Sequence, residues 1–368
     1  MASDGAPPVP MPAEDELVGA ELARAQSKRR SGRGRITGVV VSVAVVGVVF
    51  AVVLPKIASY REVWEVVKSL TWEWVAALLA VTVINLLSNA PPWMAVLPGL
   101  RFLHALRVTL AASALSLVAP GGTAVGMATQ FGMLRSWGLE GRPVGLAVAL
   151  TNIWSQLAKY GFPVVALAAL AAEGGKNKTL ELVALIGSII LVAIVASFAA
   201  GLSSKRSART VGDTAARAAS RLKRLIRKRP VSWSGTDFVR FRTEAIDLLR
   251  RRWYVLTIAT IASQLAVFIV LVVALRAVGV TRLQVSIVEA FAAWSLTRAL
   301  GSIPITPGGF GIEELALTGA LVGFGADNAE AVAATLIYRF LTVVPILTLG
   351  LLAAGTYKLG KPTPEPAT

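Results

Sequence analysis

The sequence predicts an all-α integral membrane protein, a polytopic helical bundle of two inverted-topology repeats that each carry a re-entrant Pro-Gly-Gly helical hairpin. Three observations predict this class. The 368-residue chain is 55% hydrophobic with a mean hydropathy of +0.66, far above a soluble domain. Long apolar stretches alternate with shorter ones that are broken by proline and glycine. The pattern around Pro120 also recurs around Pro307.

Residues 1–35 are Pro/Ala-rich, then acidic, then basic, without apolar periodicity, which predicts a disordered cytoplasmic tail. A single membrane domain is predicted over 36–357, followed by a second cytoplasmic tail over 358–368. Repeat one covers about 36–172 and repeat two about 179–357. A crossing helix needs about 20 residues, and the predicted crossings are 36–54, 74–97, 143–172, 179–202, 253–278 and 329–357.

Three amphipathic helices are predicted outside these crossings. Residues 57–70 are expected to lie on the outer interface, because apolar side chains recur there at helical spacing between charged ones. The basic segment 203–252 forms a cytoplasmic amphipathic loop with helices over 215–226 and 238–249. Two interpretations of this loop stay open: adhesion to anionic lipid, and a solvated linker that follows the positive-inside rule.

Charge supports this topology. The formal net charge of +16 would suggest nucleic acid in a soluble protein, but here the basic residues flank apolar spans. Most of the 37 Lys and Arg residues fall in segments placed in the cytoplasm, so a multi-pass protein of the plasma (inner) membrane with both termini cytoplasmic is predicted. Membrane lipids are the expected partners, and nucleic acid is not. A homo-oligomer remains open.

The composition also excludes several kinds of chemistry. The chain has no cysteine and one histidine, His104, so a disulfide framework, a Cys/His zinc site and a catalytic Cys are excluded. His104 is expected to be a solvated residue at an interface, between two arginines. No cofactor and no metal are predicted.

Four short apolar segments form the two predicted hairpins. Segments 103–119 and 123–137 are joined by one Pro-Gly-Gly turn, and segments 283–303 and 310–324 by the other. Proline ends a helix and glycine lets the chain reverse. Within a membrane, such non-helical backbone is found where it is buried in protein or lines a wet cavity. The predicted turn residues are Pro120, Gly121, Gly122, Pro307, Gly308, Gly309 and Gly311.

The two hairpins keep one register: identical residues pair at a constant interval as Pro120/Pro307, Gly121/Gly308, Gly122/Gly309, Leu134/Leu321, Gly138/Gly325 and Ala147/Ala334. Each half contains an odd number of full crossings, which inverts the second copy relative to the first. Inverted repeats with broken helices are the architecture of alternating-access transporters. Two unrelated turns between short helices are the alternative interpretation.

Ionisable residues inside the membrane cost about 2.5–3.5 kcal/mol each and are functional candidates. Arg339 and Lys159 lie about halfway along their spans, Arg298 lies in the first arm of the second hairpin, and Glu313 and Glu314 begin the second arm. The first repeat has neutral residues at the positions equivalent to Arg298, Glu313, Glu314 and Arg339. It offers uncharged hydrogen-bonding groups instead: Asn152, Gln156 and Gln130.

One hypothesis makes these residues a substrate site. Arg339, Arg298 and Lys159 would hold a phosphate, and Glu313 or Glu314 would bind a proton or a cationic head group. The alternative is a buried structural clamp in which Arg298 or Arg339 pairs with Glu313, because buried charges usually pair.

The segment SIPITPGGFGIEE, the later ATLIYRF and the earlier PGG turn carry a family resemblance. Over roughly 36–357 the chain resembles the transmembrane (flippase) region of lysylphosphatidylglycerol synthases and its stand-alone relatives. In two-domain members, that region moves aminoacylated phosphatidylglycerol to the outer leaflet, and a soluble domain synthesises it. The resemblance implies translocation without synthesis, since few residues follow Tyr357. It points to Pro307, Gly308, Gly309, Gly311, Glu313 and Arg339.

The leading prediction is therefore a lipid flippase and not an enzyme. Its cargo would be a phospholipid or lipid-linked head group, either aminoacyl-phosphatidylglycerol-like or polyprenyl-phosphate-linked, moved by alternating access. One alternative is an integral-membrane lipid-modifying enzyme that uses Glu313 or Glu314 as a general base. Another is a non-transporting scaffold whose basic loop recruits partners.

Overall fold

A computed structural model describes residues 60–119, 122–172, 235–301 and 309–356, and these residues contain helices and no strands. The predicted crossings over 36–54 and 179–202, the helix over 215–226, both tails, and Pro120, Gly121, Pro304, Pro307 and Gly308 lie outside these ranges. The helices are α1 (Tyr60–Lys68), α2 (Trp72–Ser88), α3 (Pro91–Val96), α4 (Phe102–Val118), α5 (Gly122–Ser136), α6 (Gly141–Ala172), α7 (Gly235–Ala277), α8 (Ile287–Leu300), α9 (Ile312–Phe324) and α10 (Asn328–Thr356).

Four stretches of the described chain are long and apolar enough to cross a membrane: Trp72–Val96, Gly141–Ala172, Thr243–Ala277 and Asn328–Thr356. They coincide with the predicted crossings near these positions. The first is formed by α2 and α3, and the break between them falls where Pro91 begins the second helix, because proline suits the first turn of a helix. The prediction of an all-helical membrane protein is confirmed.

The short apolar segments form short helices, as predicted. α4 and α5 have 17 and 15 residues, and α8 and α9 have 14 and 13, all below the length of about 20 that a crossing needs. α4 packs against α5, and α8 packs against α9. Ser286 caps the start of α8, because its hydroxyl accepts a hydrogen bond from the backbone N–H of Glu289. Re-entry of these pairs into a membrane stays a prediction.

The two halves of the chain are packed crosswise. α4, from the first half, packs along α10 of the second half, and α8 of the second half packs along α6 of the first. One apolar core surrounds α7 to α10 and the other surrounds α3 to α6, with Ala245 and Leu256 of α7 joining the second core. The first helix of each short pair thus packs on the last long helix of the opposite half.

Two predicted details need correction or refinement. The amphipathic helix over 238–249 and the crossing over 253–278 are one continuous helix, α7. Arg250, Arg251 and Arg252 join them without a break, since arginine is a good helix former and no glycine or proline intervenes. α1 is amphipathic as predicted, with Val63 buried in the core while Trp64 is exposed.

Close contact between α4 and α10 depends on Gly350. A Cβ at this position would overlap the backbone carbonyl oxygen of Leu110 and the Cβ of Ala114. Backbone atoms cannot move aside as a flexible side chain does, so the two helices approach this closely only because residue 350 is glycine.

We expect Gly350→Ala to lower the free energy of unfolding by about 1–3 kcal/mol, the usual cost of overpacking. The measurement is thermal unfolding of the purified protein in detergent. Gly355→Ala on the same helix is the matched control, because nothing lies within 4 Å of a Cβ there. Equal melting temperatures for the two variants would contradict the close α4–α10 contact.

Candidate functional site

Three charged side chains meet between α9 and α10. The Arg339 Nη1 atom lies 2.5 Å from Glu313 Oε2, and its Nε atom lies 2.6 Å from Glu314 Oε1. The side chains are 12%, 15% and 2% exposed for Arg339, Glu313 and Glu314. Of the sequence alternatives, pairing of Arg339 with Glu313 is therefore observed, and Glu314 joins it. We call these residues the ion-pair cluster.

The first turn of α9 explains the position of Glu314. Gly311 precedes the helix with φ of 84°, a conformation that favours glycine. The backbone N–H of Gly311 donates a 2.6 Å hydrogen bond to Glu314 Oε2. The carboxylate therefore caps the helix start, where the helix dipole also favours negative charge. Both of its oxygens are occupied, one by the backbone and one by Arg339.

Glu313 occupies a space that two glycines leave open. A Cβ on Gly301, at the end of α8, would overlap the Glu313 side chain, and a Cβ on Gly309 would come within 3.0 Å of Glu313 Oε1. The Glu313 carboxylate thus lies between the end of the first arm and the start of the second. Gly301 was not predicted as a site residue, because a lone glycine at a helix end is an ordinary feature.

Gly301→Ala is expected to displace the Glu313 side chain and weaken its bond to Arg339. We expect Glu313-dependent activity to fall by about tenfold, as for loss of one charge-assisted hydrogen bond. Gly319→Ala in α9 is the control, because a Cβ there meets nothing within 4 Å. Head-group translocation in proteoliposomes, the activity proposed below, is the readout. Unchanged rates for Gly301→Ala would show that Glu313 does not need this space.

A second group of charged and aromatic side chains lines a narrow recess between α6, α7 and α8, which is too small in this conformation to admit a water molecule. Arg298 Nη2 donates a hydrogen bond of 3.2 Å to Gln264 Oε1, and Arg298 Cζ lies 5.2 Å from the centre of the Trp294 ring. Lys159 on α6 faces the same recess. Its lining residues are Lys159, Phe162, Gln264, Trp294, Ser295 and Arg298.

Aromatic packing joins the recess to the ion-pair cluster. The rings of Phe162, Phe268, Phe291 and Trp294 pack against one another with centroids 5.1–5.8 Å apart. Trp294 Nε1 donates a hydrogen bond of 3.1 Å to the hydroxyl of Tyr338, the residue before Arg339. Lys159 and Arg298 both interact electrostatically with Glu313. The recess and the cluster therefore form one charged region in which basic groups outnumber carboxylates.

The uncharged candidates of the first half lie apart from the recess lining. Asn152 Nδ2 donates a hydrogen bond of 3.0 Å to Gln130 Oε1, which joins α6 to α5. Gln156 is exposed. The structure thus pairs Asn152 with Gln130 and places neither these two nor Gln156 among the residues that line the recess.

Several members of the site were missed from sequence. Gln264 is a polar residue in an apolar span, so the rule that selected the charged residues would have found it if extended to amides. Ser295 and Trp294 carry no such signal, because serine and aromatic residues are common in membrane helices. Tyr338 is buried, and only its bond to Trp294 shows its place in the site.

Metal binding has no support in the described part of the chain, which contains no group of His, Asp or Glu that could hold an ion. His104, expected to be solvated, is instead half-buried, and its ring packs edge-on against Trp137 at a centroid distance of 4.7 Å. Both rings have apolar surface, and the edge-on contact removes part of it from water, which explains why His104 is not fully solvated.

Long apolar helices around a buried charged region define the class: a polytopic α-helical membrane protein with a polar site between its helices. The comparison with protein families makes this more specific. Residues 38–350 match the family described as the lysylphosphatidylglycerol synthase TM region, and the chain belongs to that family. The match covers most of the chain. No curated protein matches it.

Proposed function

We propose that this protein is a lipid flippase that moves an anionic lipid head group between membrane leaflets. The observation that supports this proposal most is the grouping of Lys159 and Arg298 with Gln264 where α6, α7 and α8 meet, with Lys159 midway along α6. A half-buried basic pair between membrane helices is costly unless it serves an ion or a substrate. A lipid phosphate has the charge and the acceptor oxygens that such groups bind.

We propose that the three basic residues have different roles in binding the phosphate. Arg339 already has two carboxylate partners, Glu313 and Glu314, so a phosphate would have to compete with both. Lys159 and Arg298 face a recess whose other polar groups are neutral. We therefore assign the first contact with the phosphate to Lys159 and Arg298, and the role of a clamp that responds to the cargo to the ion-pair cluster.

We also propose that the two halves of the chain are inverted repeats. Under exchange of the two halves, α4 corresponds to α8 and α10 corresponds to α6, so the packing of α4 on α10 and of α8 on α6 is equivalent. This crosswise packing supports alternating access, in which the helices of one half rock against those of the other. Both termini would be cytoplasmic in the plasma membrane, which single-cysteine labelling can test directly because the natural chain has no cysteine.

Transport without lipid chemistry is also proposed. A general base needs a carboxylate that can accept a proton from the reacting group. Both Glu313 and Glu314 are bound to Arg339, and Glu314 also caps α9. This arrangement favours a structural or coupling role over the role of a base. Mass spectrometry of lipids recovered after transport should therefore show unchanged masses, whereas a new lipid species would indicate an enzyme.

The cargo is tested with a panel of lipids that share a phosphate. The family description names lysylphosphatidylglycerol, so we propose either an aminoacyl-phosphatidylglycerol-like lipid or a polyprenyl-phosphate-linked head group. Purified protein is reconstituted with fluorescent phosphatidylglycerol, aminoacyl-phosphatidylglycerol or a short-chain polyprenyl-phosphate sugar. Protein-dependent loss of leaflet asymmetry for one of them identifies the cargo. Equal, slow movement of all three, at the rate of protein-free vesicles, would overturn the proposal.

A further inference from the structure

Two buried threonines beside the ion-pair cluster have unusual hydroxyl groups. Thr318 of α9 is 0% exposed and Thr335 of α10 is 1% exposed, yet neither hydroxyl bonds to any group that the structure describes. Thr260 of α7 shares this property. Threonines in helices usually donate to the carbonyl one turn back. The other buried threonines here do so: Thr82, Thr151, Thr297 and Thr342.

The positions of these hydroxyls connect them to the charges. Thr318 follows Glu314 by one helical turn on α9, and Thr335 precedes Arg339 by one turn on α10. α9 and α10 pack against each other. Side chains on a helix lean towards its N-terminus, so Thr318 leans towards Glu314. Because α9 and α10 are joined by a short turn and pack against each other, both threonines lie one turn from the Glu314–Arg339 ion pair on the side nearer Gly325.

The chemistry of the interface indicates the ligand. The neighbouring side chains on these helices, Leu317, Leu321 and Val332, are buried and apolar, so they offer the hydroxyls no partner. Each hydroxyl can donate one hydrogen bond and accept others, so the pair suits a small neutral molecule that also donates and accepts hydrogen bonds. Water is that molecule, and buried waters typically bond to polar groups that the protein leaves unsatisfied.

We propose that Thr318 and Thr335 hold an internal water molecule beside the Glu314–Arg339 ion pair, and that this water delivers protons to the cluster. A hydronium ion at this position gives its proton to a Glu314 oxygen and becomes water, while the carboxylate becomes a carboxylic acid. Arg339 then loses one anionic partner and can turn towards a cargo phosphate. This consequence for transport rests on the proposed function, whereas the water site does not.

Other charged groups around Glu314 would shape its response to pH. Glu313 lies beside it on α9, and Arg339 of α10 contacts it directly. The Tyr338 phenol of α10, Arg298 of α8 and Lys159 of α6 interact electrostatically with Glu313. A proton on Glu314 weakens its contact with Arg339, which links proton uptake to the transport cycle.

The water site is tested by an experimental structure of the whole protein at a resolution that shows ordered waters. We expect density within hydrogen-bonding distance of both hydroxyls. The same density should be absent from Thr318→Val/Thr335→Val and present in Thr318→Ser/Thr335→Ser, which keeps the hydroxyls. An empty interface, or a direct bond between the two threonines, would overturn the site.

Proton delivery is tested in proteoliposomes under an imposed pH gradient. We expect the gradient to change the wild-type translocation rate at least fivefold, the Val pair to lose that response, and the Ser pair to keep it. Thr342→Val on α10 is a matched control because its hydroxyl bonds to the backbone carbonyl of Tyr338. A wild-type rate that ignores the gradient, or a Val pair that responds normally, would overturn proton delivery. If the wild type moves no lipid, the proposed flippase function fails, while the density still decides the water site.

Discussion

Arg339→Gln is expected to cost about 3–5 kcal/mol of stability, because it leaves two carboxylates in the interior without their cation. Glu313 and Glu314 are 15% and 2% exposed, so water cannot replace the lost guanidinium at Glu314. We expect low yields and a strongly lowered melting temperature in detergent. Thermal unfolding by fluorescence is the measurement. Translocation activity should disappear together with the folded protein.

A matched control separates burial from loss of an ion pair in general. Arg142→Gln removes the partner of Glu244 at 3.3 Å, but these side chains are 63% and 38% exposed. An exposed pair contributes about 0–1 kcal/mol, so this variant should unfold almost as the wild type does. Similar losses for both arginine variants would contradict a special role for the buried cluster.

Compensating substitutions distinguish structure from function. In Arg339→Gln/Glu313→Gln/Glu314→Gln, all three buried charges are removed together, and the amide oxygen of the side chain that replaces Glu314 can still accept the hydrogen bond from the Gly311 N–H. We expect this variant to regain most of the lost stability, since replacing a whole buried ion pair is often neutral. Transport should remain absent. Recovery of transport as well would mean that the ion-pair cluster is only a structural clamp.

Lys159→Gln should abolish most transport while leaving the fold intact. Lys159 lines the recess as a half-buried residue, and its removal leaves no carboxylate that depends on it as its main partner. Loss of one charge-assisted contact with a phosphate predicts a rate about 10- to 100-fold lower. Arg298→Gln should act in the same direction. The initial rate of head-group translocation, normalised to folded protein, is the measurement.

One control for this prediction keeps a positive charge at position 159, and the other removes a positive charge far from the recess. Lys159→Arg keeps a cation in the recess and should retain much of the activity. Lys68→Gln removes an exposed lysine of α1, whose partner Glu65 lies 3.7 Å away, and should have no effect. Full activity of Lys159→Gln would show that the cargo head group does not pass through the recess.

Much of the fold could be predicted from sequence because a membrane-spanning helix requires a long apolar stretch, which is visible in the sequence. The crossings near α2, α6 and α10, and the short helices around the two turns, follow from this rule and from proline and glycine. The continuity of α7 could not be predicted. Its basic and apolar parts look like two elements, and only helix propensity, which is a weak guide, joins them.

The candidate site was predictable in its charges and not in its contacts. Intramembrane charge alone selected Arg339, Glu313, Glu314, Arg298 and Lys159, while pairing of Arg339 remained one of two alternatives. The choice depends on how α9 and α10 pack, which no local pattern encodes. The role of Gly301 could not be predicted for the same reason, since this glycine acts by leaving space for the Glu313 side chain, and that space exists only in the folded protein.

The most direct test of the central claim is leaflet exchange of a fluorescent head-group-labelled phosphatidylglycerol in proteoliposomes. A membrane-impermeant quencher bleaches only the outer leaflet. Our account predicts that vesicles with the wild-type protein lose nearly all fluorescence, because inner-leaflet lipid reaches the quencher. Vesicles with Lys159→Gln should keep an inner-leaflet fraction close to that of protein-free vesicles. A protected fraction that is the same with folded wild-type protein as without protein, for this lipid and for the other candidate cargoes, would contradict the flippase function.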